Sequence, residues 1–228
     1  MSEEPPLEMI HTADGSVSLY HKNLDETYHS RHGAIAESNH VFIKQGLSHW
    51  CALNPNSSGV LSILEMGFGT GLNCLLTLLH RLPEFSIAYS ALEAYPLPLS
   101  LCQSLGYAQQ LNCDPEQFMM LHRQKWDKTC TIGSDFNLNK RLMRFEDFTD
   151  KDAFDLVYYD AFGARVQPEH WEKERFEALY HGMRQGGVLV TYAAKGSVRR
   201  AMQEVGFTVE RLPGPPGKRE MLRATKPH

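Results

Sequence analysis

The stretch Ile63-Leu64-Glu65-Met66-Gly67-Phe68-Gly69-Thr70-Gly71-Leu72-Asn73 restricts the possible folds of this chain more than any other. Leu61, Ile63 and Leu64 form an apolar run that reads as a buried strand. Glu65 closes it, three alternating glycines follow, and Leu72, Leu75, Leu76, Leu78 and Leu79 then recur at helical spacing. Strand, glycine turn and helix in that order are the local frame of a nucleotide-cofactor site. Glycine is needed there because the backbone turns sharply and a ligand approaches with no Cβ in its way. A dinucleotide fingerprint would place a glycine at position 72, where this chain has Leu72. The pattern therefore points away from a pyrophosphate and toward S-adenosylmethionine, with Glu65, Gly67, Gly69, Gly71 and Asn73 as candidate cofactor residues. A plain structural glycine turn is the competing reading of this stretch.

Bulk properties narrow the class. With 228 residues, 42% apolar and 22% charged, the chain has the composition of an ordinary globular protein and length enough for a sizeable core. Its apolar runs fall short of the ~20 residues of a membrane span. Residues 1–6 are acidic and proline-rich, unlike a signal peptide. Five cysteines stand far apart with no C-x-x-C among them, which argues against zinc and against a disulfide framework. The expectation is a reducing, cytoplasmic setting, no metal and no membrane. Charge is uneven: residues 184–228 hold nine Lys/Arg and three Glu, or +6, so residues 1–183 hold −10 of the net −4. A basic segment on an acidic body is either a polyanion footprint or a solvated face.

Two regions are expected: an N-terminal elaboration over 1–58 and a cofactor-binding core over 59–228. Asp14-Gly15 between short strand-like runs predicts a hairpin. Residues 24–50 show helix-like spacings and are unusually dense in His, Ser, Glu and Arg; His29, His32 and His40 lack the acid and cysteine partners of a metal site. Strands are expected over 86–94, ending at Glu93, and 153–159, ending at Asp160. Asp114-Pro115 opens a helix. An inserted hairpin fills 129–145, a helix spans 168–183 and ends at Gly186-Gly187, and a short basic helix is capped by Gly206. A closing antiparallel hairpin then lies on the sheet edge. The fold class is α/β.

In open α/β sheets, ligands bind beyond the carboxyl ends of the strands. Glu93 sits at such an end, where its carboxylate suits a pair of ribose hydroxyls. Asp147, after the inserted hairpin, is a candidate for the adenine amino group. Asp160, which faces the same crevice as the glycine turn, is the candidate catalytic residue and is counted among the candidate cofactor residues as well. Methyl transfer from a sulfonium is an in-line displacement that chiefly needs a positioned lone pair. A carboxylate at Asp160 orients an amine by accepting its N–H and stabilises the charge that develops on nitrogen. Phe162 offers that cation an aromatic face. An oxygen nucleophile would call for a His or Lys base beside Asp160, and none adjoins it in sequence. Arg165, Lys173, Lys195, Arg199, Arg200, Lys218 and Arg219 form a candidate phosphate track.

Taken together, Glu65-Met-Gly-Phe-Gly-Thr-Gly-Leu-Asn73, Glu93-x-x-Pro-Leu97, Asp160-Ala-Phe162 with Pro168-Glu-x-Trp171, and Pro213-Gly…Gly-Lys-Arg-Glu-Met-Leu222 resemble the MnmC-type tRNA methyltransferases. The likeness runs from about Asp14 to Ala224. It implies a Rossmann-like class I S-adenosylmethionine-dependent fold, a seven-stranded mixed sheet with its last strand antiparallel. It also implies methylation of the 5-aminomethyl group of (2-thio)uridine at the tRNA wobble position, giving 5-methylaminomethyluridine. By the family pattern Asp160 maps to the catalytic carboxylate, and Gly67, Glu93 and Asp147 map to cofactor positions. Long family members carry a second, FAD-dependent oxidase half. The expectation here is no FAD, no oxidase activity, and a monomer that engages the anticodon region of tRNA. A small-molecule amine methyltransferase and a non-catalytic cofactor-binding protein on the same fold are the alternatives.

Overall fold

The computed structural model describes residues 7–55 and 59–228; the 54–59 linker expected from sequence lies partly outside them. Two sheets form. The smaller is a meander of β1 (Leu7–His11), β2 (Val17–His21) and β3 (Glu26–Thr27). The larger comprises β4 (Gly59–Met66), β5 (Phe85–Glu93), β6 (Lys128–Thr131), β7 (Phe136–Leu142), β8 (Phe154–Tyr159), β9 (Met183–Thr191), β10 (Thr208–Pro213) and β11 (Glu220–Thr225). Its order is β10-β11-β9-β8-β4-β5-β7-β6. The central pairs β5·β7, β4·β5, β4·β8 and β8·β9 are parallel, and β6, like the β11 that enters between β9 and β10, runs antiparallel to its neighbours.

The α/β fold with an antiparallel last strand agrees with expectation, but the sheet has eight strands rather than seven. The extra strand is β6, the first arm of the inserted hairpin, which pairs with β7 and so becomes the sheet edge. A second difference lies at 168–183. A 3-10 turn (Pro168–Trp171) precedes the helix Lys173–Gly182, and the chain is already extended at Met183. Gly186 and Gly187 therefore lie within β9, where the register with β8 shifts between Phe154 and Leu156, a bulge rather than a helix end.

Apolar spacing explains the layers. Helix Leu72–His80 buries Leu72, Leu75, Leu76 and Leu78 on one face of the sheet, beside Leu61, Ile63 and Tyr158. Helices Lys173–Gly182 and Gly196–Val205 cover the other face through Phe176, Leu179, Val198 and Met202. The N-terminal elaboration shares the first of these cores. A helical run over 34–53, α-helical at Ala34–Ser38 and His49–Leu53 and π-helical at Asn39–Ser48, buries Val41, Phe42 and Leu47 there. Gly46 lets it lie close to the sheet: a Cβ there would stand 3.0 Å from Val190.

The Asp14-Gly15 turn does double duty. It closes the β1–β2 hairpin, and Asp14 Oδ2 accepts the Ala36 N–H at 3.0 Å, satisfying an orphan donor in the first turn of the helical run. The Ser16 hydroxyl accepts from Ala34 N at 3.0 Å. Gly33, at φ +147°, lets the chain pass this anchor; a Cβ there would fall 2.5 Å from Asp14. Replacing Asp14 by Ala removes the acceptor for the Ala36 and Ser16 amides, as loss of a helix cap does, and is expected to cost about 1–2 kcal/mol. Thermal unfolding would show this as a fall of several degrees, and an unchanged midpoint would contradict the anchoring role.

Candidate active site

Three strand ends build the site. The Leu92 carbonyl at the end of β5 accepts from both Gly67 N (3.1 Å) and Phe68 N (3.0 Å). The Met66 carbonyl accepts Asp160 N at 3.1 Å. The glycine turn is thereby pinned between the ends of β5 and β8. Glu93 completes the fastening: one carboxylate oxygen takes Gly69 N at 3.0 Å and the other takes Tyr95 N at 2.9 Å. Burial raises the Glu93 pKa against these backbone hydrogen bonds. Gly67 has φ +96°, and a Cβ on it would stand 3.0 Å from the Asp160 carbonyl. Gly71, at φ +74°, begins the helix with the His122 ring where its Cβ would be. These two positions exclude side chains on both conformational and steric grounds.

A cavity of about 730 Å³ opens over this turn. Of the residues singled out from sequence, Gly67, Gly69, Asn73, Glu93, Asp160, Phe162 and Lys218 line it. Asn73 Nδ2 donates to Asp160 Oδ2 at 2.8 Å. Burial, then the Glu37 carboxylate, push the Asp160 pKa up to about 7, against the Asn73 hydrogen bond and the Lys218 charge. Glu65 does not line the cavity. It is fully buried, and neither oxygen makes a hydrogen bond of full geometry. Burial, followed by Asp160, drives its pKa well above the carboxylate range, with Tyr89 and Asn73 as its polar neighbours. Glu65 thus lies beside Asn73 behind the cavity rather than on its wall, which the sequence reading of it as a cofactor contact did not expect.

The remaining sequence candidates are scattered. Asp147 is exposed at the end of a 3-10 turn (Phe145–Asp147), while Arg144, Phe145 and Glu146 from that turn line the cavity. Arg165 pairs with Asp25 (3.8 Å) and Glu26 (3.5 Å). Lys218 turns inward onto Glu37. Lys173, Lys195, Arg200 and Arg219 are exposed and Arg199 is half-buried. Among the described residues no ion pair engages Lys195, Arg199, Arg200 or Arg219.

Other lining residues come from the N-terminal region: Tyr28 and His29 lie in Asp25-Glu-Thr-Tyr-His-Ser-Arg-His-Gly33, a stretch that also resembles short members of the family, and Glu37 follows in the same polar-dense region. His29 Nε2 lies 2.8 Å from the Thr70 hydroxyl, tying that region to the glycine turn, and burial lowers its pKa to about 4. The other two histidines are also accounted for: the His32 ring packs on Gly217, and His40 Nε2 meets the Pro213 carbonyl at 2.8 Å. Tyr28 meets Phe162 edge-on, ring centroids 5.0 Å apart. Arg175 reaches across from helix Lys173–Gly182 to donate to the Phe145 carbonyl at 2.6 Å. Tyr192, just after β9, donates its hydroxyl to the Ala161 carbonyl at 2.7 Å.

Comparison with known proteins places this geometry. Residues 130–227 match the model of a family described as S-adenosyl-L-methionine-dependent methyltransferase. Over 222 residues the chain is 32% identical to the tRNA 5-methylaminomethyl-2-thiouridine biosynthesis bifunctional protein MnmC of Idiomarina loihiensis, covering 87% of this chain and 35% of that protein. It is 29% identical to the MnmC of Hydrogenovibrio crunogenus, covering 86% of this chain and 31% of that one. The chain therefore spans about a third of the length of the curated relatives it matches. The crystal structure of MnmC2 from Aquifex aeolicus superposes with a TM-score of 0.75 at 25% identity, covering 98% of this chain and 72% of that one.

The residues fit the cofactor this family uses. The glycine turn leaves room where Cβ atoms would stand, the cavity is of ligand size, and Glu93 keeps lone pairs on both oxygens for ribose hydroxyls. Glu93→Ala removes that acceptor and releases Gly69. Calorimetry is expected to show S-adenosylmethionine binding at least about tenfold weaker, the loss of a charge-assisted hydrogen bond or more. Undiminished affinity would rule out the ribose role.

Proposed function

We propose that this chain, an S-adenosyl-L-methionine-dependent methyltransferase related to MnmC, methylates the 5-aminomethyl group of (2-thio)uridine at the wobble position of tRNA. The product is 5-methylaminomethyluridine. The observation that carries the reading is Asp160: a carboxyl with a pKa of about 7, oriented by Asn73, at the wall of the cavity above the glycine turn.

When bound, the cofactor supplies an electrophilic methyl group. What the chain must supply is a neutral amine in line with it. An alkyl amine reaches the site protonated, so a proton has to leave before nitrogen attacks. Asp160 is matched to that task, because a base works best with a pKa near the working pH. An ordinary aspartate near 4 would hold the proton too weakly. As the new C–N bond forms and the sulfonium's C–S bond breaks, nitrogen becomes cationic again; Asp160, now holding the proton it took, accepts a remaining N–H through its carbonyl oxygen, and the aromatic faces of Phe162 and Tyr192 stabilise the charge. The fold does bring one lysine, Lys218, to the cavity, but its ammonium is bound to Glu37 rather than free as a base.

The charge distribution supports an RNA acceptor. β9 pairs with β11 so that Thr191 faces Leu222, which brings the segments after β9 and before β11 to one edge. Lys195, Arg199, Arg200 and Arg219 stand on those segments. Their charges suit a phosphate backbone, which gives affinity rather than sequence choice.

The direct test is incubation with tRNA bearing 5-aminomethyluridine and methyl-labelled cofactor, followed by nucleoside analysis. Labelled methylaminomethyluridine is expected; label appearing only on free small amines would favour a small-molecule enzyme instead. Asp160→Asn should lower kcat about 10²–10⁴-fold while cofactor affinity stays within a few-fold. Because the base acts deprotonated and its pKa is raised to about 7, wild-type kcat should climb with pH through that value. Asp160→Asn should flatten the climb.

A further inference from the structure

Glu37 and Lys218 meet inside the cavity, 181 residues apart in sequence. Glu37 is only 5% exposed; it accepts the Ser30 N–H at 2.7 Å and the Lys218 ammonium at 2.5 Å. The same ammonium stands 3.8 Å over the centre of the Tyr192 ring. That ring is fixed beside Asp160, because its hydroxyl is bonded to the carbonyl of the very next residue, Ala161. A carboxylate and an aromatic face around one point, with a second carboxyl, that of Asp160, on the same cavity wall, are groups that recognise an alkylammonium. In this structure a primary alkylammonium belonging to the chain fills the place.

The pair is dispensable as a fastening for its loop. The turn over 213–219 is already docked by His40 on the Pro213 carbonyl and by the His32 ring against Gly217. It is closed internally by Lys218 N to Pro215 O (2.9 Å) and Gly214 N to Arg219 O (3.1 Å). None of these contacts uses the Lys218 side chain, which is 31% exposed and so has a route out to solvent. Buried Glu37 cannot lose its cation without cost, but exchange for another ammonium keeps the charge balance.

We propose that Glu37, Tyr192 and Asp160 form the binding subsite for the primary ammonium group of the methyl acceptor, and that Lys218 occupies it until the acceptor displaces it. The identity of the acceptor rests on the amine-methylation reading above; the subsite itself takes any unhindered primary alkylammonium. A quaternary ammonium has no N–H to give either carboxyl. Once displaced, Lys218 lies next to Arg219 on the rim, where its charge faces an incoming polyanion.

The test uses the full chain with S-adenosylhomocysteine bound and n-propylamine as the probe, with tetramethylammonium as the control. In protein with ¹³C-labelled lysine, the Lys218 ε-methylene, assigned with Lys218→Arg, should be shifted upfield by the Tyr192 ring. Propylamine should return it to the ordinary lysine position, and tetramethylammonium should not. Calorimetry should show Lys218→Met binding propylamine about tenfold more tightly than wild type, since no internal competitor remains. Adding Glu37→Gln should abolish that gain. A Lys218 signal that stays shifted at high propylamine, or no gain in Lys218→Met, overturns the proposal. If propylamine displaces Lys218 but tRNA is not methylated, the subsite stands and the tRNA reading falls. Methylated tRNA with Lys218 unmoved has the opposite meaning.

Discussion

The site depends on one backbone carbonyl. Leu92 O accepts two successive amides of the glycine turn, Gly67 and Phe68, at the carboxyl end of β5. That double hydrogen bond, together with the one from Gly69 N to Glu93, fixes the turn against the end of β5. The arrangement follows from parallel pairing. β4 and β5 run side by side in strict register from Gly59↔Phe85 to Met66↔Leu92, so both strands end at one level. β8 pairs on the other side of β4 as far as Met66↔Tyr159, which delivers Asp160 to that level too. Three buried strands of similar end point place the glycine turn, Glu93 and Asp160 on one cavity.

The electrostatics of that cavity are unusual in one respect. Glu65, Glu93 and Asp160 all have raised pKa values with burial as the leading cause, and Glu37 adds to the shift at Asp160. Such a cluster is costly unless cations come to it. A sulfonium cofactor and an ammonium acceptor are both cations. On the reading proposed above, the cost of burying these carboxyls therefore acts as affinity for the two positively charged reactants, and that affinity weakens once methyl transfer leaves the cofactor a neutral thioether. Arg144 and Arg175 line the part of the cavity formed by the 144–146 turn and helix Lys173–Gly182, where Arg144 pairs with Glu146 at 3.4 Å.

Much of this was legible in the sequence, and for a common reason. Glu65, the glycines, Glu93 and Asp160 each terminate an apolar run, and the end of a buried strand is a position that pattern alone can locate. The inserted hairpin was legible through its turn residues, but turn chemistry does not say that its first arm will join the sheet as β6. Asp147 illustrates a finer limit. A 3-10 turn decides whether residue 146 or 147 faces inward, and no periodicity reports that choice. Glu37 and Tyr192 were illegible for a different reason. Each earns its place through partners more than thirty residues away, Lys218 and Ala161, which only the closed fold brings near.

The basic C-terminal segment shows how folding edits a charge pattern. Of its nine cations, Arg184, Arg211, Lys218, Arg223 and Lys226 are paired with Asp155, Glu220, Glu37, Glu210 and Asp152. The four others, Lys195, Arg199, Arg200 and Arg219, sit on the segments that β9 and β11 bring to one edge of the sheet. Tyr192 and Lys218, on those same segments, line the cavity. The positive field is therefore narrower than the sequence suggests and lies beside the rim of the cavity. The rest of the molecule carries net negative charge and repels a polyanion, so on the reading proposed above a nucleic acid is turned toward the face that bears Asp160.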